Sequence, residues 1–332
     1  MAEKKAFVTG GTGFVGFYVV KALVAGGLAV RALIRPSSSP SSIQRLKSLR
    51  VELVTGDLLE PDSYAPGLDG ISYVFHCAGL HKIGIRDSKL LYRTNVEATR
   101  KLLEASSKRG VEQFVYTSSI KTIGLLPGQG PSDETVMYNM WEQDTDYGKT
   151  KYLAEELLLN SDSRVLIKIL NPSTVIGSED ESLTPMMRII SDFLQRKIKF
   201  SINTSTGFVD AGDVGLAHFL ALERAKPKQR YILNAVNWTM DELFALLSQY
   251  THIPAPRFKV PYCLAYPVAC VSLVMSRVTK DEPAVIPRSL NIARKMPSYN
   301  GKKAVVELGI QYRDVRLSLK EAVEWLQHHQ KK

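Results

Sequence analysis

Short apolar runs alternate with longer helical patterns through the first 170 residues of the chain. Strands that are apolar throughout and are separated by helices are typical of a parallel sheet covered by helices on both faces. The sequence therefore predicts a doubly wound α/β fold, in which ligands bind beyond the carboxyl ends of the strands. The runs that predict strands are 6–8, 29–34, 51–54, 73–75, 114–116 and 165–170, and the helical patterns include 90–108 and 147–159.

The pattern loosens after Asn171, because prolines repeatedly divide the chain into short helices and short strands. We expect residues 183–332 to form a smaller, mostly helical cap that binds a substrate over the strand ends. Residues 1–182 are predicted to form the larger domain, and 208–225 is predicted to return to it.

The composition is typical of a globular protein with a sizeable core, since 45% of the 332 residues are hydrophobic and 23% are charged. The net charge of +10 comes from scattered lysines and arginines, so nucleic-acid binding is not expected and a phosphorylated small ligand is the simpler partner. The cysteines at positions 77, 263 and 270 lack metal-ligand spacing, which predicts no metal site and a reducing, cytoplasmic environment. The N-terminal residues lead directly into the first strand, so a cleaved signal is not expected.

The most apolar later segment is 262–275. It contains Pro267 and is shorter than the roughly 20 residues that span a bilayer, so no transmembrane segment is expected. Three roles are open for it: lining or covering a substrate pocket, weak association with a membrane, or packing within the cap.

A glycine-rich turn links the first predicted strand to the helix after it. Gly10 allows a tight turn, Gly13 lets the backbone approach a pyrophosphate, and Gly16 permits close packing of helix on strand. The N–H groups at the start of the helix then bind the anion. This arrangement predicts a dinucleotide site that includes Gly10, Thr12, Gly13, Phe14, Val15 and Gly16.

The end of the second strand favours NADP(H) over NAD. NAD sites usually place an acidic side chain there for the ribose hydroxyls, whereas this strand ends at Arg35 with no acid. A guanidinium pairs well with a 2′-phosphate, with Ser37, Ser38 and Arg45 near enough in sequence to help; the alternative is a solvated strand-end charge. Asp57, followed by Leu58, is placed to meet the adenine or, equally, to cap its own turn.

A serine, a tyrosine and a lysine form the candidate catalytic set. Ser119 follows the fifth strand, and Tyr147 and Lys151 lie four residues apart on one face of a later helix. The ammonium of Lys151 is expected to lower the pKa of the phenol and to bond the nicotinamide ribose, while Ser119 holds the substrate oxygen. Tyr299 and Lys303 repeat the spacing without a strand-end serine, so we treat them as coincidental.

Taken together, these motifs resemble the extended short-chain dehydrogenase/reductase superfamily over nearly the whole chain, with greatest similarity to its dihydroflavonol reductase-like and 3β-hydroxysteroid dehydrogenase-like branch. The resemblance implies a Rossmann fold, a catalytic Ser119, and a structural Asn95 that holds a proton-relay water against the lysine. His76 and His81 are expected in core or loop roles. The cofactor contacts that the resemblance adds are Ala78, Gly79, Thr117, Lys151, Asn171, Pro172, Ser173 and Thr174.

The expected reaction is reduction of a ketone or aldehyde, or oxidation of a secondary alcohol, on an apolar small molecule. The segment from Phe200 to Leu222 contains no Arg or Lys for a substrate diphosphate, and Ile120-Lys121 replaces the Asp-Glu pair of the related dehydratases. The alternatives are a nucleotide-sugar epimerase with tightly held NAD(P) and an NADP-binding sensor without turnover. We expect a homodimer.

Overall fold

The protein is described by a computed structural model over residues 4–81, 88–279 and 287–329. Seven parallel strands form the main sheet, in the order β10-β6-β5-β4-β1-β2-β3, and β11-β9-β7 and β12-β8 form two small sheets. The six strands predicted from the sequence all lie in the main sheet. The strands are β1 (Lys5–Thr9), β2 (Ala29–Ile34), β3 (Glu52–Thr55), β4 (Tyr73–His76), β5 (Gln113–Thr117), β6 (Leu166–Pro172), β7 (Thr174–Ile176), β8 (Phe200–Ser201), β9 (Ser205–Asp210), β10 (Arg230–Leu233), β11 (Val236–Thr239) and β12 (Phe258–Lys259).

Helices cover both faces of the main sheet, which confirms the predicted doubly wound fold. Buried side chains of α1 and α8 pack on one face, and those of α5 and α6 pack on the other. Short π-helices occupy Arg93–Glu97 and Ala304–Leu308. The α-helices are α1 (Phe14–Ala25), α2 (Pro40–Ser48), α3 (Pro61–Tyr64), α4 (Ser88–Tyr92), α5 (Ala98–Lys108), α6 (Asp146–Leu159), α7 (Pro185–Leu194), α8 (Ala211–Arg224), α9 (Met240–Thr251), α10 (Tyr262–Thr279), α11 (Pro287–Ala293) and α12 (Val315–His329).

Two later elements return to the main sheet. Helix α8 approaches α1 so closely that a Cβ on Gly215 would lie 2.3 Å from the carbonyl oxygen of Tyr18, in keeping with the predicted return of 208–225. Strand β10 pairs with β6 at the edge of the sheet, although the sequence analysis left it in the cap. Its three buried residues, Tyr231 to Leu233, make too short an apolar run to distinguish a sheet strand from an isolated one.

The cap surrounds the small sheet β11-β9-β7 with helices α7, α9 and α12. Phe193 stacks on Phe244 with their ring centroids 5.6 Å apart, and Phe208 packs on Trp238 at 5.1 Å. Because β7 begins two residues after β6 ends, the cap core starts at the carboxyl edge of the main sheet. The predicted domain boundary at residue 182 stays a prediction.

Candidate active site

The turn between β1 and α1 is built by glycines that leave no room for side chains. Gly10 has a φ of +74°, and a Cβ there would lie 2.5 Å from the backbone nitrogen of Ala78; a Cβ on Gly16 would lie 2.1 Å from the carbonyl oxygen of Gly10. Gly13 caps α1 without a side-chain hydrogen bond, so the first N–H groups of the helix lack intrahelical partners. This is a suitable cradle for a pyrophosphate. Phe14 is buried, and Thr12 and Val15 are partly exposed beside it.

The end of β2 forms an open loop. The side chain of Arg35 is exposed, and its backbone N–H donates to Ser38 Oγ at 3.0 Å. Arg45 is engaged elsewhere: its guanidinium donates to the carbonyl oxygen of Glu179 at 2.7 Å and lies 3.6 Å from the carboxylate of Glu181. Arg35 is therefore better placed than Arg45 to meet a cofactor phosphate.

Asp57 caps its own turn. Its Oδ1 accepts a hydrogen bond from the backbone of Leu59 at 2.9 Å, which is the turn-capping alternative. Leu58 lies partly buried beside it. The second carboxylate oxygen of Asp57 is not used in that bond, so the turn role and a contact with an adenine are compatible.

The nicotinamide half of the predicted site lies where β4, β5 and β6 end. A Cβ on Gly79 would lie 3.5 Å from Asn95 Oδ1 and 3.8 Å from Lys151 Nζ, so the loop after β4 meets both predicted catalytic residues. The hydroxyl of Ser173 is buried and has no hydrogen-bond partner. An orphaned buried hydroxyl is costly, and it fits a site that a cofactor completes. Ala78, Pro172 and Thr174 lie at the same edge.

Ser119 and Tyr147 are brought together as predicted. The side chain of Ser119 lies close enough to Tyr147 to lower the pKa of its phenol in part, and Ser119 Oγ accepts a hydrogen bond from the Lys121 N–H at 3.2 Å. The ring of His81 packs edge-on against Tyr147, with centroids 4.2 Å apart. Because Ser119 already accepts from the backbone, its own O–H is available to donate.

Lys151 lies beside this pair, buried under the loop ends. Its Nζ donates to the Thr117 carbonyl oxygen at 2.6 Å and sits 4.3 Å from the centroid of the Tyr116 ring. Burial lowers the pKa of Lys151 to about 7, with partial compensation from the negative charge of Glu155. The charged form of Lys151 is therefore only weakly stabilised, and the ammonium loses its proton readily near neutral pH.

The pKa of Tyr147 moves opposite to the sequence expectation. Burial raises the pKa of this phenol to about 12, and the neighbouring Ser119 hydroxyl offsets only part of the shift. The predicted lowering by Lys151 does not occur in this structure, because the ammonium is directed at the Thr117 carbonyl and desolvation dominates. Tyr147 is consequently a neutral phenol, a proton donor, across the ordinary pH range.

Asn95 ties the loop after β4 to the catalytic helix. It lies in the π-helix at Arg93–Glu97, a local widening often found at functional sites. Its Oδ1 accepts from the Leu80 N–H at 2.7 Å, and its Nδ2 donates to the Leu80 carbonyl at 3.1 Å and to Thr150 Oγ1 at 3.0 Å. Asn95 therefore aligns α6 with the segment that carries Gly79.

The comparison with family models decides what kind of protein carries this site. The model of the NAD dependent epimerase/dehydratase family matches residues 6–235, well over half of the chain. The chain belongs to that family. It is an NAD(P)-dependent oxidoreductase of the epimerase/dehydratase family, and the resemblance predicted from the motifs is confirmed.

Three similar proteins support this assignment over nearly the full length. A putative dihydroflavonol 4-reductase of Synechocystis sp. is 36% identical over 97% of this chain and 94% of its own. Sterol demethylase protein B of Methylococcus capsulatus is 29% identical over 96% and 97%. The crystal structure of gox2253 is 34% identical, covers 98% of each chain and superimposes with a TM-score of 0.87.

A buried carboxylate that the sequence analysis missed organises the serine segment of this oxidoreductase. Glu155, one turn beyond Lys151 on α6, accepts hydrogen bonds from Ser118 at 2.5 Å, Thr122 at 2.9 Å and Asn171 at 2.8 Å. Burial raises the pKa of Glu155. Asn171, predicted to touch the cofactor, is fully buried in this cluster. A sequence signal existed, since Glu155 shares the buried helix face of Lys151.

A second buried series of hydrogen bonds links Thr9, at the end of β1, to Asn95. Thr99 Oγ1 donates to the Asn95 carbonyl at 2.7 Å, so it must accept from His76 Nε2 at 2.9 Å. Nδ1 of the neutral ring then accepts from Thr9 Oγ1 at 2.7 Å, which itself accepts from the Ala78 N–H at 3.3 Å. Burial lowers the pKa of His76 to about 3. This histidine is a core residue, as expected, and every polar atom in its chain is matched.

The second tyrosine–lysine pair is not assembled as a site. Tyr299 is buried, and Lys303 Nζ instead donates to Gln229 and to the Arg230 carbonyl, both at 2.9 Å. Within residues 4–81, 88–279 and 287–329, no helix is both long and apolar enough to cross a membrane, and no cluster of metal-ligating side chains occurs. The expected homodimer stays a prediction.

Proposed function

We propose that this protein is an NADP(H)-dependent reductase or dehydrogenase that acts on the carbonyl or secondary alcohol of an apolar small molecule. The observation that carries the proposal is the placement of Ser119 beside Tyr147 at the strand ends, with Tyr147 held as a neutral phenol. In this role Tyr147 is the general acid in reduction and the general base in oxidation.

The chain's own residues account for binding and proton transfer. A carbonyl oxygen placed between Ser119 and Tyr147 accepts a hydrogen bond from each hydroxyl, which polarises the carbonyl. The nicotinamide, when bound, supplies or accepts the hydride. Tyr147 then gives its proton to the oxygen that becomes the alcohol. Lys151, with a pKa lowered to about 7 by burial, is suited to restore that proton.

The cofactor preference rests on Arg35. We infer that its exposed guanidinium pairs with the 2′-phosphate of NADP(H), since residues 29–38 contain no acid that would repel it. The Gly10–Gly16 turn would hold the pyrophosphate, and Ser173 with Lys151 would hold the nicotinamide ribose and amide. The free hydroxyl of Ser173 supports the latter assignment.

The apolar substrate class rests on strand β9, where a Cβ on Gly207 would lie 3.1 Å from the Cβ of Ser173. Strand β9 carries no Arg or Lys, and its Ser205 hydroxyl is used by the Pro297 carbonyl at 2.9 Å. A nucleotide diphosphate would lack a cationic partner in this segment. The names of two relatives, a putative dihydroflavonol 4-reductase and a sterol demethylase protein, refer to a dihydroflavonol and a sterol rather than to a nucleotide sugar.

A substrate screen tests the proposal. Purified protein is mixed with NADPH or NADH and with hydrophobic ketones or aldehydes, and NADPH absorbance is followed with UDP-glucose and UDP-galactose in parallel. We expect NADPH consumption with hydrophobic carbonyls and no thermal stabilisation by the UDP-sugars. Epimer formation without added reductant would instead favour the epimerase alternative, and tight NADPH binding without turnover on any carbonyl would favour the sensor.

A further inference from the structure

The helix α10 (Tyr262–Thr279) buries small residues and exposes large apolar ones, the opposite of an ordinary surface helix. The small residues Ala265 and Ala269 point inward and pack with Leu290 of α11. Large apolar residues point outward instead and share one face by their helical spacing, namely Leu264, Val268, Val271 and Met275. Each is more than half exposed. We call these four residues the apolar face of α10.

Two further exposed aromatic rings lie on the short sheet β8-β12, which precedes the start of the helix. Phe200 and Phe258 are register partners in the parallel pair β8-β12, so their side chains are neighbours on one side of it. Both rings are more than half exposed. The Tyr262 hydroxyl bonds the Asn203 carbonyl, which holds the helix against the end of β8. Exposed large apolar side chains grouped in this way are typical of interaction sites.

Basic residues outnumber acidic ones along the segment that carries this surface. From Ile253 to Arg288 the sequence has five basic residues, Arg257, Lys259, Arg277, Lys280 and Arg288, against the two acidic residues Asp281 and Glu282, and Lys199 directly precedes Phe200. Lys259 also pairs with Asp241. A large apolar face with basic residues at both ends of its helix is the pattern of segments that lie in the interface of an anionic bilayer.

A second copy of this chain is a poorer occupant. In a two-fold symmetric pairing through α10, the basic residues near the ends of one helix would approach basic residues of the other. Like charges so placed repel, whereas anionic headgroups complement them. From Ile253 to Arg288 the basic residues outnumber the acidic ones by five to two, so a self-complementary interface would have too few acidic partners.

We propose that the apolar face of α10, with Phe200 and Phe258, docks the protein on the surface of an anionic lipid bilayer without spanning it. Helix α10 lies near the candidate active site through α11. Leu290 of α11 packs on Ala265 and Ala269 of α10, and Arg288 Nη1 of α11 is 3.4 Å from Oδ1 of Asp146, the residue before Tyr147. An apolar substrate dissolved in the bilayer would then reach the site from the membrane side. The docking itself does not depend on the proposed reaction.

Vesicle flotation tests the proposal. The full-length protein is mixed with vesicles of phosphatidylcholine alone or of phosphatidylcholine with phosphatidylglycerol, at low and high salt. We expect binding to the anionic vesicles that weakens with salt. The double substitution Val268→Asn and Val271→Asn should weaken it by about tenfold or more, because two side chains lose apolar burial.

A matched double variant controls for the loss of exposed apolar residues in general. Val306 and Leu317 are 69% and 51% exposed, against 67% and 62% for Val268 and Val271, and lie on other helices. Val306→Asn with Leu317→Asn should bind vesicles like the unsubstituted protein, and Arg257→Gln with Lys199→Gln should lose the preference for anionic vesicles. Absence of native binding to anionic vesicles, or equal binding by the α10 variant, would overturn the proposal. So would a drop from dimer to monomer in the α10 variant with vesicle binding unchanged, since that assigns the face to a second copy.

Discussion

At the carboxyl ends of β4, β5 and β6, polar side chains are buried and tied to one another, whereas the outer face of α10 presents large apolar side chains to solvent. In the first region Glu155 alone accepts four side-chain hydrogen bonds, from Ser118, Thr122, Asn171 and Arg230. In the second, Val268 is 67% exposed. Both arrangements oppose the usual placement of residues, and both cost stability unless function or a partner compensates. The difference is that most polar side chains at the strand ends find partners within the chain, the Ser173 hydroxyl being an exception, while the apolar face of α10 has no such partners among the residues that the structure describes.

The largest expected effect on turnover comes from removing the hydroxyl of Tyr147. Tyr147→Phe deletes the proton donor while leaving the ring that packs on His81, so turnover of a carbonyl substrate should fall by about a hundredfold to ten-thousandfold. NADPH affinity, measured by fluorescence titration, should stay nearly unchanged. Tyr299→Phe is the control and should keep normal turnover. Near-normal turnover by Tyr147→Phe would place the acid elsewhere.

The Glu155 cluster predicts the next largest effect. Glu155→Ala leaves the Ser118 hydroxyl without its acceptor and the Arg230 guanidinium without its buried carboxylate, and removes one of the acceptors of Thr122 and Asn171. It should cost about 2–4 kcal/mol of unfolding free energy. Because the cluster positions the segment of Ser119, kcat should also fall more than KM changes. Glu155→Gln keeps one acceptor oxygen and should recover part of both losses.

Denaturant unfolding and steady-state kinetics on the Glu155 variants provide the measurement. Glu156→Ala, on the next position of the same helix, is the matched control, with a change expected within about 0.5 kcal/mol. Equal unfolding free energies for Glu155→Ala and Glu156→Ala would show that the buried network is not needed to hold the strand ends.

The buried histidines predict acid sensitivity. Burial lowers the pKa of His76 to about 3 and of His218 to about 4, from about 6.5 in the unfolded chain. Below pH 6.5 the unfolded state takes up protons that the folded state does not, so stability is present above that pH and is lost on acidification. At pH 5 each histidine should cost about 2 kcal/mol relative to pH 7.

Denaturant unfolding at pH 7 and pH 5 checks this expectation. His76→Asn should be less stable at pH 7, because the chain from Thr9 to Thr99 is broken, but should lose less stability on acidification. His252→Asn, at a left-handed exposed position that Asn tolerates, is the control. A pH dependence identical in His76→Asn and in the unsubstituted protein would contradict the assignment of a buried neutral ring.

The smallest effect concerns cofactor choice. Arg35→Asp replaces a phosphate partner with the acid typical of NAD sites, and the ratio of NADPH to NADH affinity should fall by about tenfold to a hundredfold. Arg45→Ala should leave the ratio closer to normal, since that guanidinium is held by Glu179 and Glu181. Equal affinities for NADPH and NADH in the unsubstituted protein would contradict the proposed pairing of Arg35 with the 2′-phosphate.

The features that could be predicted from the sequence are those set by residues close together along the chain. The glycine turn, the strands and the shared helix face of Tyr147 and Lys151 all follow from spacing within a few residues. The cluster around Glu155 joins residues 118, 122 and 171, and strand β10 depends on pairing with β6. Neither contact has a local signature. The raised pKa of Tyr147 could not be predicted from the sequence either, because its cause is burial, which depends on how the whole chain packs.

Isotope transfer tests the central claim most directly. NADPH carrying deuterium on the transferable position of the nicotinamide is incubated with the protein and a hydrophobic ketone, and the product is analysed by mass spectrometry alongside free NADP⁺. The account predicts an alcohol that carries one deuterium on the former carbonyl carbon, with an equal amount of NADP⁺ released. Unlabelled product, or interconversion of UDP-sugars with the cofactor retained and no NADP⁺ released, would contradict it.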